Sequence, residues 1–254
     1  MPRPQPPVQT RPTSSAYPAL PPPRQGNPLL RLCKRLFATL VVLWLAFHVW
    51  VGAMLMVWQT QPINNTMFMT LHRLSGGAPV SQTWVEDSQI SVNVKRAAIA
   101  SEDANFANHA GFDVQGIEQA IKKNQKAGAI SAGGSTISQQ LAKNLFLYPK
   151  RSYIRKGEEA LITVMIEQLW SKARILTAYL NVAEFGDGIY GIEAAAQHYF
   201  NCPAKSLTKR QAAFLIAMLP NPKYYQAHPN DRRLQAKTQI ILRRMGAADL
   251  PDRQ

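Results

Sequence analysis

The stretch Ala97-Ala98-Ile99-Ala100-Ser101-Glu102-Asp103-Ala104-Asn105-Phe106-Ala107-Asn108-His109-Ala110-Gly111 decides how this chain is read. Four small or apolar residues lead into a carboxylate pair, and an aromatic and a histidine follow. The chain holds 15 Asp and Glu against 29 Lys and Arg, so two adjacent carboxylates at the end of an apolar helix stand out. Such a pair, with Phe106 and His109 behind it, is a candidate acid/base site. The competing reading is a solvated helix end, which is what acidic residues at loop edges usually are.

Toward the N-terminus, residues 1 to 28 are rich in Pro with Gln, Ser and Thr. Nothing in them can build a core, so a disordered cytoplasmic tail is expected over residues 1–35. Residues 36–58 are almost wholly apolar, longer than the ~20 residues a helix needs to cross a bilayer. His48 is the one polar interruption; a neutral imidazole is tolerable there and is read as having no function. Trp58 is placed to anchor the outer interface. A cleaved signal peptide competes with a retained anchor. The run is too long for such a segment, begins late, and has no small-x-small site close behind it. Arg24, Arg31, Lys34 and Arg35 precede the run, and no Lys or Arg follows until Arg73. Basic residues stay on the cytoplasmic side, so residues 59–254 should face outward. That orientation removes nucleic acid as the partner for a net charge of +14. A membrane surface or an extracytoplasmic phosphate remains. Cys33 and Cys202 fall on opposite sides of the span, which excludes an internal disulfide and a shared metal site.

Residues 62–90 carry Met67, Phe68, Met69, Leu71 and Leu74 among polar residues. This is either a membrane-hugging amphipathic segment or a helix packed on its own domain. From Val94 onward the periodicity is helical. A helix is expected after Asp113, through Val114, Ile117, Ala120 and Ile121. Lys122, Lys123 and Lys126 then lead into a small-residue stretch at 127–134, expected to be mobile. Thr136 with Gln139 three residues on makes a capping box, so a helix begins there. Its glycine-preceded N-terminus offers free N–H groups to an anion, with hydroxyls beside them and Lys143 further along. The plain alternative is a capped helix after a flexible loop. Lys156 and Glu159 share a helix face, ordinarily a surface ion pair of little worth. Further helices are expected around Ile162 to Leu169, from Lys172 through Val182, through Ala194 to Phe200, and from Gln211 to Leu219. Pro220 and Pro222 stop the last of these, and an amphipathic helix near Leu234 to Met245 precedes a polar tail over 246–254. No stretch alternates well enough to be read as a strand. The outer domain over 59–245 reads as all-α.

Together the motifs resemble those of the peptidoglycan glycosyltransferases, which occur alone on a membrane anchor or as the first domain of bifunctional penicillin-binding proteins. The resemblance covers about residues 90 to 225 and rests on five blocks in order. They are Glu102-Asp103-x-x-Phe106-x-x-His109-x-Gly111, then Gly134-Ser135-Thr136-Ile137-Ser138-Gln139-Gln140 with Lys143-Asn144, then Arg155-Lys156-x-x-Glu159-Ala160. Ile175-Leu176-x-x-Tyr179-Leu180-Asn181 with Phe185-Gly186 follows, and Ala212-Ala213 leading to Leu219-Pro220-Asn221-Pro222 closes the series. Gln211 departs from the pattern, where the family commonly has Glu; the position looks structural. Ser206-x-x-Lys209 matches a transpeptidase nucleophile pattern by chance, since no Lys-Thr-Gly follows it, so a monofunctional enzyme is expected.

The resemblance implies an all-α, lysozyme-like helical lobe with a small membrane-facing jaw, behind one N-terminal transmembrane helix. It implies the bacterial inner membrane, with the N-terminus cytoplasmic and the catalytic domain periplasmic. The substrate would be lipid II, a disaccharide-pentapeptide joined by diphosphate to undecaprenol. Inverting glycosyl transfer would join it to the growing glycan strand and release undecaprenyl diphosphate. By the same resemblance Glu102 is the base. Lys143, Arg151 and Lys156 hold the diphosphates with Arg155, and Glu159 orients these cations or a Mg²⁺ or other divalent ion. Ser135, Thr136, Gln139, Gln140 and Asn144 position sugar and phosphate groups, while Asp103, Phe106 and His109 shape the site. No organic cofactor is implied. The partners are lipid II, the glycan strand, the membrane, and cell-wall synthesis or division proteins.

The chemistry fits the residue types independently. An acceptor 4-hydroxyl attacking an anomeric carbon needs a base, and a departing diphosphate needs cations rather than a proton. A glycan-cleaving, lysozyme-like enzyme would instead need a protonated acid, commonly beside a second carboxylate. That hydrolase and a catalytically silent, lipid II-binding scaffold are the alternatives. The cation cluster speaks against the first, and the presence of Glu102 and Glu159 against the second.

Overall fold

The computed structural model describes Met1, residues 28–116, Glu118, residues 134–150 and residues 152–251. The proline-rich stretch at 2–27, most of the helix expected after Asp113, nearly all of the stretch at 127–134, and Arg151 lie outside the described residues. The chain divides into two units, residues 1–46 and residues 47–254.

In the first unit the described residues form the start of α1 (Pro28–Trp58), a helix of 31 residues that is long and apolar enough to cross a bilayer. The helix starts well before residue 36. Pro28 sits in its first turn, where a missing N–H costs nothing, and Arg31, Lys34 and Arg35 are good helix formers.

The second unit begins with the last turns of α1, which are built into its core. Val51 and Leu55 are fully buried, and Trp50 and Trp58 meet the Phe146 ring at 5.7 and 5.6 Å. The Trp170 indole N–H donates to the Leu55 carbonyl at 2.8 Å, and Gln59 Nε2 donates to the Leu169 carbonyl at 2.9 Å. A helix C-terminus leaves carbonyls without partners and carries a partial negative charge. Arg174 answers both, donating to the carbonyls of Trp58 and Gln61 while its guanidinium lies over Trp84, 4.8 Å from the ring centroid. His48, read from sequence as idle, lies 3.0 Å from the Glu158 carboxylate.

Helix α2 (Met67–Leu74) is capped by Thr66, which accepts the Met69 N–H at 3.2 Å, and Met69 is fully buried. The segment packs on its own domain, as one of its two readings has it. There follow α3 (Val92–Glu102), α4 (Ile137–Phe146), α5 (Tyr153–Leu169), α6 (Lys172–Val182), α7 (Ile192–Phe200), α8 (Lys209–Met218), α9 (Pro222–Ala227) and α10 (Arg232–Arg244). Helix α4 packs on both α5 and α6, burying Ile137, Leu141, Ala142 and Leu145. Helices α3 and α10 both pack on α8, where Ala97 and Ala98 and the pair Ala212 and Ala213 are fully buried. Small side chains at such a seam let helix backbones approach closely.

Three short strands, β1 (Ser81–Gln82), β2 (Glu184–Gly186) and β3 (Ile189–Tyr190), form a sheet in the order β1-β3-β2. β1 runs parallel to β3, and β2 antiparallel to it. The sequence reading expected no strand. Runs of two or three residues are too short for alternation to show, and what remains legible is the turn, where Gly188 takes φ +75°. Helices dominate the described residues, and the class is all-α.

Candidate active site

Glu102 is the last residue of α3, and its side chain is 13 % exposed. Among the described residues three donors hold its carboxylate. Ser101 Oγ donates to Oε1 at 2.7 Å and Lys237 Nζ to the same oxygen at 3.3 Å, while Gln140 Nε2 donates to Oε2 at 3.1 Å. Tyr179 in turn donates its phenol to Gln140 Oε1 at 3.1 Å. The Tyr179 pKa is raised well above the ordinary phenol value, first by complete burial, then by the charges of Glu102 and Asp103. A phenol that keeps its proton fixes the Gln140 amide with its NH₂ toward Glu102.

Asp103 does something different. Its Oδ2 accepts the Ile137 N–H at 3.0 Å, one of the free donors in the first turn of α4, and its Oδ1 lies 2.8 Å from His109 Nε2. The Gly111 N–H donates to His109 Nδ1 at 3.1 Å, so the histidine proton sits on Nε2 and goes to Asp103. Thr136 Oγ1 donates to the Gly111 carbonyl at 2.7 Å. Gly111 has φ +89°, and a Cβ there would lie 2.8 Å from Thr163 Cγ2. The first and second sequence blocks are therefore tied together behind the carboxylate of Glu102. Phe106 is fully buried, with Lys172 Nζ 4.6 Å from its ring centroid.

Thr136 and Gln139 form the expected capping box: Thr136 Oγ1 accepts the Gln139 N–H, and Gln139 Oε1 accepts the Thr136 N–H. Both side chains are buried, as is Asn144. None of the three is on the wall of the cleft that opens beside α4. That cleft, about 550 Å³, lies between the start of α4 and the start of α5. Ser135, Gln140, Lys143, Arg155, Lys156 and Glu159 line it with Pro149, Ser152 and Tyr153. Arg155 NH1 donates to Glu159 Oε2 at 2.7 Å and Lys156 Nζ to Glu159 Oε1; Lys156 Nζ also lies 3.4 Å from Ser135 Oγ. Lys143 Nζ stands 5.5 Å from the centroid of the Phe68 ring. Three cations against one carboxylate leave the wall positive, suited to a polyanion. Arg155 Nε, which is buried, has no hydrogen-bond partner among the described residues. Gln140 joins the two halves of the site, since it lines the cleft and also holds Glu102.

Both oxygens of Glu159 are taken by cations, and among the described residues no three His, Cys, Asp or Glu side chains converge.

The sequence reading passed over Ser101, the role of Tyr179, and Lys237. A tyrosine in an otherwise apolar helix needs a partner for its O–H, and that is the signal by which Tyr179 could have been found. Lys237 reaches Glu102 from 135 residues away and carries no local signal.

A largely enclosed carboxylate held by donors, joined through one amide to a cation-lined cleft, defines a transferase-type site for a phosphorylated donor. The profile of the transglycosylase family matches residues 68–246. A protein of Acinetobacter baumannii (strain SDF) named biosynthetic peptidoglycan transglycosylase is 51% identical over 209 residues, which is 82% of this chain and 93% of that protein. Proteins of the same name from Dechloromonas aromatica and Neisseria meningitidis are 50% and 47% identical, covering 87% and 88% of this chain and 98% of each relative. The chain belongs to the transglycosylase family.

Proposed function

We propose that the chain polymerises lipid II into linear glycan strands, with Glu102 as the base and the cleft between α4 and α5 as the diphosphate site. The acceptor 4-hydroxyl gives its proton to Glu102 as its oxygen bonds to the anomeric carbon of the growing chain. The bond from that carbon to the diphosphate oxygen breaks, and undecaprenyl diphosphate leaves with the electron pair. Lys143, Arg155 and Lys156, with Arg151 by resemblance, offset the charge that develops there. Glu159 sets Arg155 and Lys156 in place, and Ser135 and Gln140 contact sugar or phosphate. Asp103, Phe106 and His109, with Thr136, Gln139 and Asn144, build the frame. Outward orientation of the domain from the cytoplasmic membrane is supported by Arg24 ahead of α1 and by Arg31, Lys34 and Arg35 in its first turns, and suits a substrate whose lipid tail stays in the bilayer.

The observation that carries this reading is the contact of Gln140 with Glu102 on one side and the cationic cleft on the other. The test is product analysis on purified lipid II in detergent. Wild type should yield long glycan strands, and Glu102→Gln should lose at least about 10²-fold in rate. Strands from both would move the base elsewhere, with Glu159 next to examine. No polymer from wild type, with lipid II still bound, would leave only a scaffold.

A further inference from the structure

Lys237 lies in α10, outside all five sequence blocks, yet its Nζ is 3.3 Å from Glu102 Oε1. The helix that carries it is held firmly. Asp231 caps its start through the N–H groups of Arg233 and Leu234, at 2.7 and 3.3 Å. Leu234, Thr238 and Ile241 are buried on one face, and α10 packs on both α3 and α8. Lys237 therefore approaches Glu102 from a rigid element packed on the helix that bears Glu102. Its side chain is 32 % exposed, so most of its length is spent against protein.

The two oxygens of Glu102 are not equivalent. Among the described residues Oε1 receives Ser101 and Lys237, whereas Oε2 receives only Gln140, the residue that also faces the cleft. A carboxylate oxygen has room for about two hydrogen bonds. Among the described residues Oε1 is thus saturated by two groups that do not line the cleft, and Oε2 keeps one acceptor position.

We infer that Lys237 is a positioning residue for the transfer reaction: with Ser101 it clamps Oε1 of Glu102, so that Oε2 presents its open lone pair to the acceptor hydroxyl. In the step itself the hydroxyl proton passes to Oε2, the hydroxyl oxygen bonds to the anomeric carbon, and the diphosphate leaves with the electrons of the broken bond. Oε1 becomes the carbonyl oxygen of the neutral acid and stays bonded to Lys237, so the carboxyl does not rotate as it is protonated. The inference rests on Glu102 being the base.

The test is steady-state polymerisation of lipid II by the full chain in detergent, with Lys237→Ala, Lys237→Arg and Glu102→Gln beside wild type, each checked by thermal unfolding. A misaimed base costs turnover rather than binding. Lys237→Ala should lower kcat about 10- to 100-fold, the loss expected of a reacting group displaced by ~1 Å. KM should stay within about 2-fold, and Lys237→Arg, which still donates to Oε1, should recover most of the rate. Unchanged kcat in Lys237→Ala overturns the inference, and so does a raised KM with kcat intact, which would make Lys237 a cation for substrate. An active Glu102→Gln removes the base reading and the inference together. An inactive Glu102→Gln beside a fully active Lys237→Ala removes the inference alone.

Discussion

Glu102 owes its setting to a relay of two neutral side chains. Tyr179 must donate to Gln140 Oε1, because an amide oxygen only accepts, and this turns the amide nitrogen toward the carboxylate. Burial and two nearby carboxylates keep the phenol protonated, so the orientation survives any ordinary pH. Without the phenol the amide can flip and present oxygen to oxygen. Tyr179→Phe removes the partner of a part-buried acceptor and should cost about 1 kcal/mol of stability. It should also slow lipid II polymerisation about 10-fold by loosening the aim of Glu102. Thermal unfolding and the polymerisation rate check both, and an unchanged rate would show that Gln140 needs no second partner. At the same scale Asp103 and His109 are accounted for without chemistry. The acid spends one oxygen on the first turn of α4 and the other on a histidine that is itself satisfied.

Among the elements, two helices begin with the same device. Thr136 with Gln139 opens α4, and Thr208 with Gln211 opens α8, each with reciprocal side chain to backbone bonds. The departure at Gln211 thereby has a physical reading. Gln211 Oε1 accepts the Thr208 N–H at 3.0 Å and its hydroxyl at 2.8 Å, bonds a Glu would make equally well. Gln211→Glu should change stability by less than about 0.5 kcal/mol, whereas Gln211→Ala should cost roughly 1 kcal/mol, since it breaks the box. Unfolding in denaturant distinguishes the two; equal losses would mean that the cap is not what the position serves. Boxes of this kind are legible in sequence because four consecutive residues contain the whole interaction. The helical periods, the long apolar run and the stops at Pro220 and Pro222 are legible for the same local reason. Lys237 on Glu102 was not, nor was the pairing of β1 with β3, where Ser81 stands opposite Ile189. These contacts are made by folding, between segments whose own patterns say nothing of each other.

In the whole molecule, the C-terminal end of α1 and the site belong to one body. Trp50 and Trp58 rest on Phe146, the last residue of α4, and the first turn of α4 is bound to Asp103 beside Glu102. The core that links them also holds three phenols, with Tyr179 and Tyr190 buried in it and Tyr199 packed against it. The pKa of Tyr199 is pushed up to about 12 by burial, and Tyr190 is raised by burial and by Glu184, as Tyr179 is raised in the site. In the unfolded chain a phenol ionises near pH 10. Above that pH the unfolded chain releases these protons while the folded chain keeps them, so the unfolded state binds fewer and stability falls as pH rises. The contribution is fully present below about pH 10 and is lost through the window to about 12 set by Tyr199. A retained proton on buried Tyr179 is worth up to ~1.4 kcal/mol per pH unit, and half-buried Tyr199 contributes less because solvent screens it. Phenolate absorbance followed beside helical circular dichroism, in detergent, should therefore show two phases. The first should leave the helices intact, and the absorbance of Tyr179, Tyr190 and Tyr199 should appear only as helix is lost. If all 8 tyrosines ionised together near pH 10 with the helices still in place, the phenols would not be closed off as described, and the frame behind Glu102 would be open to water.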